Sequence, residues 1–220
     1  MGANNYDYVG WSASPAGDFN GDGYADVIIG ADDLDFSGRG NAGGAYVLYG
    51  HSNTSSPFTD IDLASHTLIS TTGFEIRGEI ANQKAGKLVT GGLDLNNDSY
   101  SDIAISAGNN YVYVIFGKNA SYDTIDLAGL SGGSQSWGFR VAASGDMTMS
   151  PAGDINGDGI DDLIIGTSIA SYSVRIWSGM AYIIYGKNQE YSFDNLDVSS
   201  WVTPTHGFRV YGTASYDRFG

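Results

Sequence analysis

One nine-residue stretch, Asp18-Phe19-Asn20-Gly21-Asp22-Gly23-Tyr24-Ala25-Asp26, limits what this chain can fold into more than any other, because it returns twice. Residues 94–102 (Asp94, Asn96, Asp98, Tyr100, Asp102) and 154–162 (Asp154, Asn156, Asp158, Ile160, Asp162) repeat its oxygen-bearing side chains at the same spacing, D-x-N-x-D-[GS]-x-x-D. Each copy runs straight into an apolar segment: Val27-Ile28-Ile29, Ile103-Ala104-Ile105 and Leu163-Ile164-Ile165. A loop that enters a strand the same way three times marks a repeated structural unit.

Oxygens at positions 1, 3, 5 and 9, with the backbone carbonyl of position 7, can surround one hard cation that takes six to eight oxygens at about 2.3–2.6 Å. The expected ligands are therefore Asp18, Asn20, Asp22, Tyr24 and Asp26, then Asp94, Asn96, Asp98, Tyr100 and Asp102, then Asp154, Asn156, Asp158, Ile160 and Asp162. Calcium suits such a set better than magnesium, which demands a near-ideal octahedron and gives up water reluctantly. Up to three structural Ca2+ ions are expected. Asp, Asn and Gly also dominate ordinary turns; recurrence, and the repulsion of clustered carboxylates without a cation, favour the ion. Position 6 turns the chain sharply, which suits Gly23 and Gly159, so Ser99 predicts a strained or weaker middle loop. An EF-hand is excluded, because its position 12 is a helical Glu, and here it is Ile29, Ile105 and Ile165 in β-branched runs.

The repeat extends beyond the loop. A second apolar strand closes on glycine each time: residues 45–50, 111–117 and 181–186. A Gly-Phe strand follows at Gly73-Phe74, Gly138-Phe139 and Gly207-Phe208. Modules of about four strands, spanning roughly 10–85, 86–145 and 146–220, predict an all-β propeller segment of about three four-stranded antiparallel blades filling residues 1–220. The connections differ in length: 31–44 and 167–179 are long, while 108–110 is a tight turn. Variable loops on a repeated scaffold are where binding usually resides, so Arg39, Tyr172, Arg175 and Trp177 are candidate ligand contacts. The crossings 52–72, 119–137 and 188–206 share an Asp-Leu/Val pair (Asp62, Asp126, Asp197) and read as structural.

Charge narrows the partners. A net charge of −15 argues against nucleic acid and anionic membranes, and no run of 18 apolar residues is present to span a membrane. All but three of the 25 acidic residues are Asp, the exceptions being Glu75, Glu79 and Glu190, which favours loops over helices. Cysteine is absent, so disulfides and thiolate chemistry are excluded. His51, His66 and His206 occupy non-equivalent places, and no hydrolase, zinc-protease or P-loop signature occurs. No catalytic residues are expected.

With Ala16-Gly17-Asp18 and Ala152-Gly153-Asp154 leading into the loops, and the Phe-Gly pair at Phe219-Gly220, the chain resembles the FG-GAP repeat of integrin α-subunit propellers. Gly92-Leu93-Asp94 and Asp146 depart from that pattern. The resemblance implies calcium in the hairpin between the first two strands of each blade. It also implies ligand recognition on the opposite face, from loops 31–44, 108–110 and 167–179 and links 78–85 and 142–148. The expected function is a calcium-stabilised extracellular or cell-surface module for adhesion or protein binding. A lectin-like glycan-binding propeller and a scaffold beside an enzyme are the alternatives. Three blades leave open sheet faces, so either further blades of the same polypeptide or a homo-oligomeric ring is expected to cover them.

Overall fold

A computed structural model describes residues 7–220 apart from 37, 53, 55, 56, 64–67, 109, 189, 190, 192, 199 and 201–203; His66, Asn109 and Glu190 thus lie outside the described residues. Three sheets follow one another in chain order. The first pairs β1 (Ser12–Gly17), β2 (Asp26–Ala31), β3 (Gly44–Leu48) and β4 (Gly73–Arg77) as an antiparallel meander. The second does the same with β5 (Ala85–Leu93), β6 (Asp102–Ala107), β7 (Tyr111–Ile115) and a last strand at Gly138–Ala142. The third uses Met147–Gly153, Asp162–Thr167, Met180–Ile184 and Gly207–Tyr211.

Two blades have a fifth strand that the four-strand expectation omits. Segment β8 (Ile125–Asp126) belongs by sequence to the second module, yet it pairs in parallel with β4 of the first, Ile76 opposite Ile125 and Arg77 opposite Asp126. The strands after it are then β9 (Gly138–Ala142), β10 (Met147–Gly153), β11 (Asp162–Thr167), β12 (Met180–Ile184), β13 (Leu196–Asp197) and β14 (Gly207–Tyr211). β13 likewise leaves the third module to pair in parallel with β9 of the second blade. The second and third crossings are thus latches: each reaches back and extends the previous sheet. A 3-10 turn, Leu127–Leu130, follows β8 and is capped by the Asp126 side chain.

The core lies between the sheets. Ile28, Val47, Phe74 and Ile76 of the first blade pack on Ile103, Ile105, Tyr113 and Ile115 of the second. The opposite face of the second blade, including Ala104, Val114, Phe139 and Val141, packs on Leu163, Ile165, Tyr182 and Ile184 of the third. Covered on both sides, the middle blade must be apolar at successive positions, which explains the fully buried run of β6. The far face of the third blade is open in this chain: Phe208 is 40% and Val210 38% exposed, where Phe139 and Val141 are fully buried.

Candidate metal centres and ligand face

Each acidic loop joins the first two strands of its blade, so all three occupy equivalent positions in the repeat. Their internal bonding is the same. The first Asp accepts from the backbone N–H groups of positions 5 and 6: Asp18 from Asp22 and Gly23, Asp94 from Asp98 and Ser99, Asp154 from Asp158 and Gly159, all at 2.8–3.0 Å. The Asn at position 3 donates its amide to the Asp at position 5. The ninth residue has a further role that spacing did not reveal. Asp26, Asp102 and Asp162 accept from the N–H of Phe19, Leu95 and Ile155 and from the N–H of Gly50, Gly117 and Gly186, clamping the loop to the end of the third strand.

Burial and mutual repulsion act together on the loop carboxylates. Burial pushes the Asp26 carboxyl up to about 6, with Asp22 adding repulsion. Burial raises Asp102 well above the ordinary carboxylate range, and Asp98 and Asp94 push the same way. Asp162 is raised by burial and by Asp158 and Asp154, and Asp98 by burial and Asp94. None of these carboxylates has a Lys or Arg partner among the described residues. Nor do three His, Asp or Glu side chains among the described residues form a metal cluster on their own. Each loop carries three carboxylates, one Asn side-chain amide and a position-7 backbone carbonyl, oxygen donors of the class that could hold a hard cation.

The middle loop carries the strain expected at Ser99, whose φ is 72°. Asn97 is also left-handed, at 57°, where Gly21 and Gly157 stand in the other copies. Position 4 therefore needs positive φ as much as position 6, a requirement the sequence hinted at only through those two glycines.

The loops also staple blade to blade. Asp18 and Phe19 accept backbone bonds from Ser101 and Lys118 of the second blade, and Leu95 accepts from Lys187 of the third. Phe19 and Leu95 are fully buried, whereas Ile155, their equivalent, is 52% exposed.

The loops after each second strand lie at the other ends of the strands. Loops 31–44 and 167–179 share one fold: Phe36 bridges Arg39, and Tyr172 bridges Arg175. Arg39 donates to the Gly78 carbonyl and Arg175 to that of Gly212. Arg39 also forms a two-pronged pair with Asp126, so the structure places this candidate contact in a clamp between blades. Tyr172 stacks on Tyr211 at 3.8 Å, and the Arg175 guanidinium lies 5.2 Å from the Tyr172 ring. Trp177 meets Tyr216 edge-on and stays partly exposed. Tyr172, Arg175 and Trp177 are thus on one loop, and Arg39 lies two blades away.

The FG-GAP repeat family model matches residues 9–48 and 150–177, the first and third loops with their flanking strands. The chain carries FG-GAP repeats. The middle blade is outside the match although its strands pair in the same way; it differs from the matched copies at Gly92-Leu93, Asn97 and Ser99. Phosphatidylinositol-glycan-specific phospholipase D from Bos taurus is 29% identical over 90% of the chain, which covers 23% of that protein. The namesake from Homo sapiens is 28% identical over 75% of the chain and 19% of its own length, and that from Rattus norvegicus 27% over the same shares. The chain thus spans about a fifth of the length of these relatives.

Proposed function

We propose that these FG-GAP blades form a calcium-stiffened, non-catalytic binding module that acts outside the cell, presenting loops 31–44, 108–110 and 167–179 to a protein ligand. One observation carries the reading: three loops with the same unpaired acidic donor set each fasten the end of a blade's third strand, and two also fasten the neighbouring blade. A cation there would rigidify the whole stack, and extracellular calcium is plentiful enough for sites of about 10⁻⁴–10⁻³ M affinity. Isothermal titration of chelated protein with Ca2+ tests it. Binding of two or three ions, with a rise in Tm, is expected; no heat in millimolar calcium would overturn the reading.

A second reading, an accessory domain beside an enzyme, is favoured by the relatives, whose names denote a phospholipase and of which this chain matches only a part. In that setting the open face of the third blade is covered by further blades of the same polypeptide. A second copy of the chain is the other occupant, and sedimentation of this chain in calcium separates the two.

A further inference from the structure

The second and third blades carry the same pair of side chains in register, but among the described residues only one pair is closed by a carboxylate. In the second blade Tyr113 on β7 stands opposite Arg140 on β9, and in the third Tyr182 on β12 stands opposite Arg209 on β14. Between the first and second blades, Glu79 closes the pair: its carboxylate accepts from the Tyr113 hydroxyl and from Arg140 at 3.1 Å. Gln83 completes the network by donating to Tyr113 at 3.0 Å and accepting from the Glu79 N–H.

The next link cannot do this. Gly78 and Ala143 make the same backbone bond, to the Gly43 and Asn110 carbonyls, so Ser144 stands where Glu79 does. The link is also shorter and has no counterpart of Gln83. In place of the carboxylate lies a cleft of about 680 Å³ whose walls include Ser144, Tyr172, Tyr182, Asp197 and Arg209. Arg209 has no ion pair among the described residues. The Tyr182 hydroxyl meets no carboxylate: its neighbours are the Thr167 hydroxyl and the Met180 sulfur, the latter 3.9 Å away and a weak acceptor.

We propose that this cleft binds an acidic side chain of a peptide ligand, seated on Arg209 and Tyr182 as Glu79 is seated on Arg140 and Tyr113. The template is a Glu on a polypeptide, which favours a peptide over an acidic sugar. With a net charge of −15 and Asp197 on the wall, no long-range field draws the anion in. Recognition rests on short charge-assisted hydrogen bonds, which a neutral isostere cannot replace. The proposal deepens the protein-binding reading by fixing one cleft and one chemistry.

The test is NMR titration of the full chain in millimolar calcium with a blocked Gly-Glu-Gly peptide. Shifts at the amides of Ser144, Tyr182 and Arg209 are expected, with none from the Gln analogue. Arg209→Gln should weaken binding at least about tenfold, and its unchanged Tm would show that it folds. Ser144→Glu supplies a tethered carboxylate, so it should abolish peptide binding and raise Tm. Undiminished binding by Arg209→Gln, or no shift at these amides, overturns the proposal. Binding of glucuronate but not of the peptide overturns the peptide assignment. Peptide shifts confined to other loops overturn this cleft and leave the protein-binding reading standing.

Discussion

The Arg39 guanidinium of the first blade grips the Asp126 carboxylate, delivered by the second module, through two bonds of 2.8 and 2.6 Å. Arg39 also holds the Gly78 and Glu79 carbonyls, so one side chain ties a loop, a link and a latch strand together. The pair is partly solvated, with side-chain exposures of 23% and 47%, which keeps its worth modest. A double-mutant cycle of Arg39→Ala and Asp126→Asn, read by urea denaturation, should give a coupling of about 1 kcal/mol. A coupling near zero would reduce the clamp to a surface contact.

The same pair sets an acid limit. Hydrogen bonds from Arg39 hold the Asp126 carboxyl below its ordinary value, and the Ala128 N–H acts in the same sense. A folded pKa below the unfolded one contributes stability that is present at neutral pH. That stability is lost as pH falls below about 4 and through the folded value. Asp126→Asn should therefore cost stability at pH 7 and show a shallower fall in acid than the parent. Equal slopes for the two proteins would contradict this assignment.

Calcium removal should loosen the stack. At 1 mM free ion and a dissociation constant of about 10⁻⁴ M, each occupied loop contributes about 1.4 kcal/mol. Chelator should lower the Tm by several degrees. Asp102→Asn should reduce the calcium response, and it should also destabilise the chelated protein, because its fully buried carboxylate holds the Leu95 and Gly117 N–H groups. A parent Tm indifferent to chelator would remove calcium from the account.

Ser99 and Asn97 hold left-handed backbone that Gly occupies in the outer two loops. Ser99→Gly should stabilise the protein by up to about 1 kcal/mol, net of the entropy that glycine loses on folding. Tighter calcium binding at the middle loop should accompany it in titration. Loss of stability would mean that the Ser99 side chain makes a contribution larger than its strain.

The blades and the loops were legible because both are local. Period, spacing and β-branching place the first two strands of each blade beside Asp26, Asp102 or Asp162, repetition of the Gly-ended and Gly-Phe segments places the other two, and the donor chemistry lies inside nine residues. The latches were not legible. Ile125-Asp126 and Leu196-Asp197 are too short to carry a period, and their partners, β4 and β9, belong to the previous module. The shared Asp marked the place at 126 and 197 without its meaning, which at Asp126 depends on Arg39 from another blade. Glu79 was invisible as a plug for the same reason: Tyr113 and Arg140 become its neighbours only when sheets stack.

Stacking also makes a prediction about equivalent residues. Phe139 and Phe208 occupy the same register position, opposite Val114 and Ile183. Phe139 is enclosed by Phe116 and by Phe193 of the following module, whereas Phe208 is 40% exposed. Phe139→Ala should cost about 3–5 kcal/mol, the usual range for an aromatic lost from a close-packed core. Phe208→Ala should cost far less in this chain, because much of its ring stays in water whether the chain is folded or not. Measured in a longer polypeptide, or at concentrations where copies associate, the cost of Phe208→Ala should climb toward that of Phe139→Ala if a fourth blade or a second copy covers the face. Equal small costs in both settings would show that the third blade ends the stack.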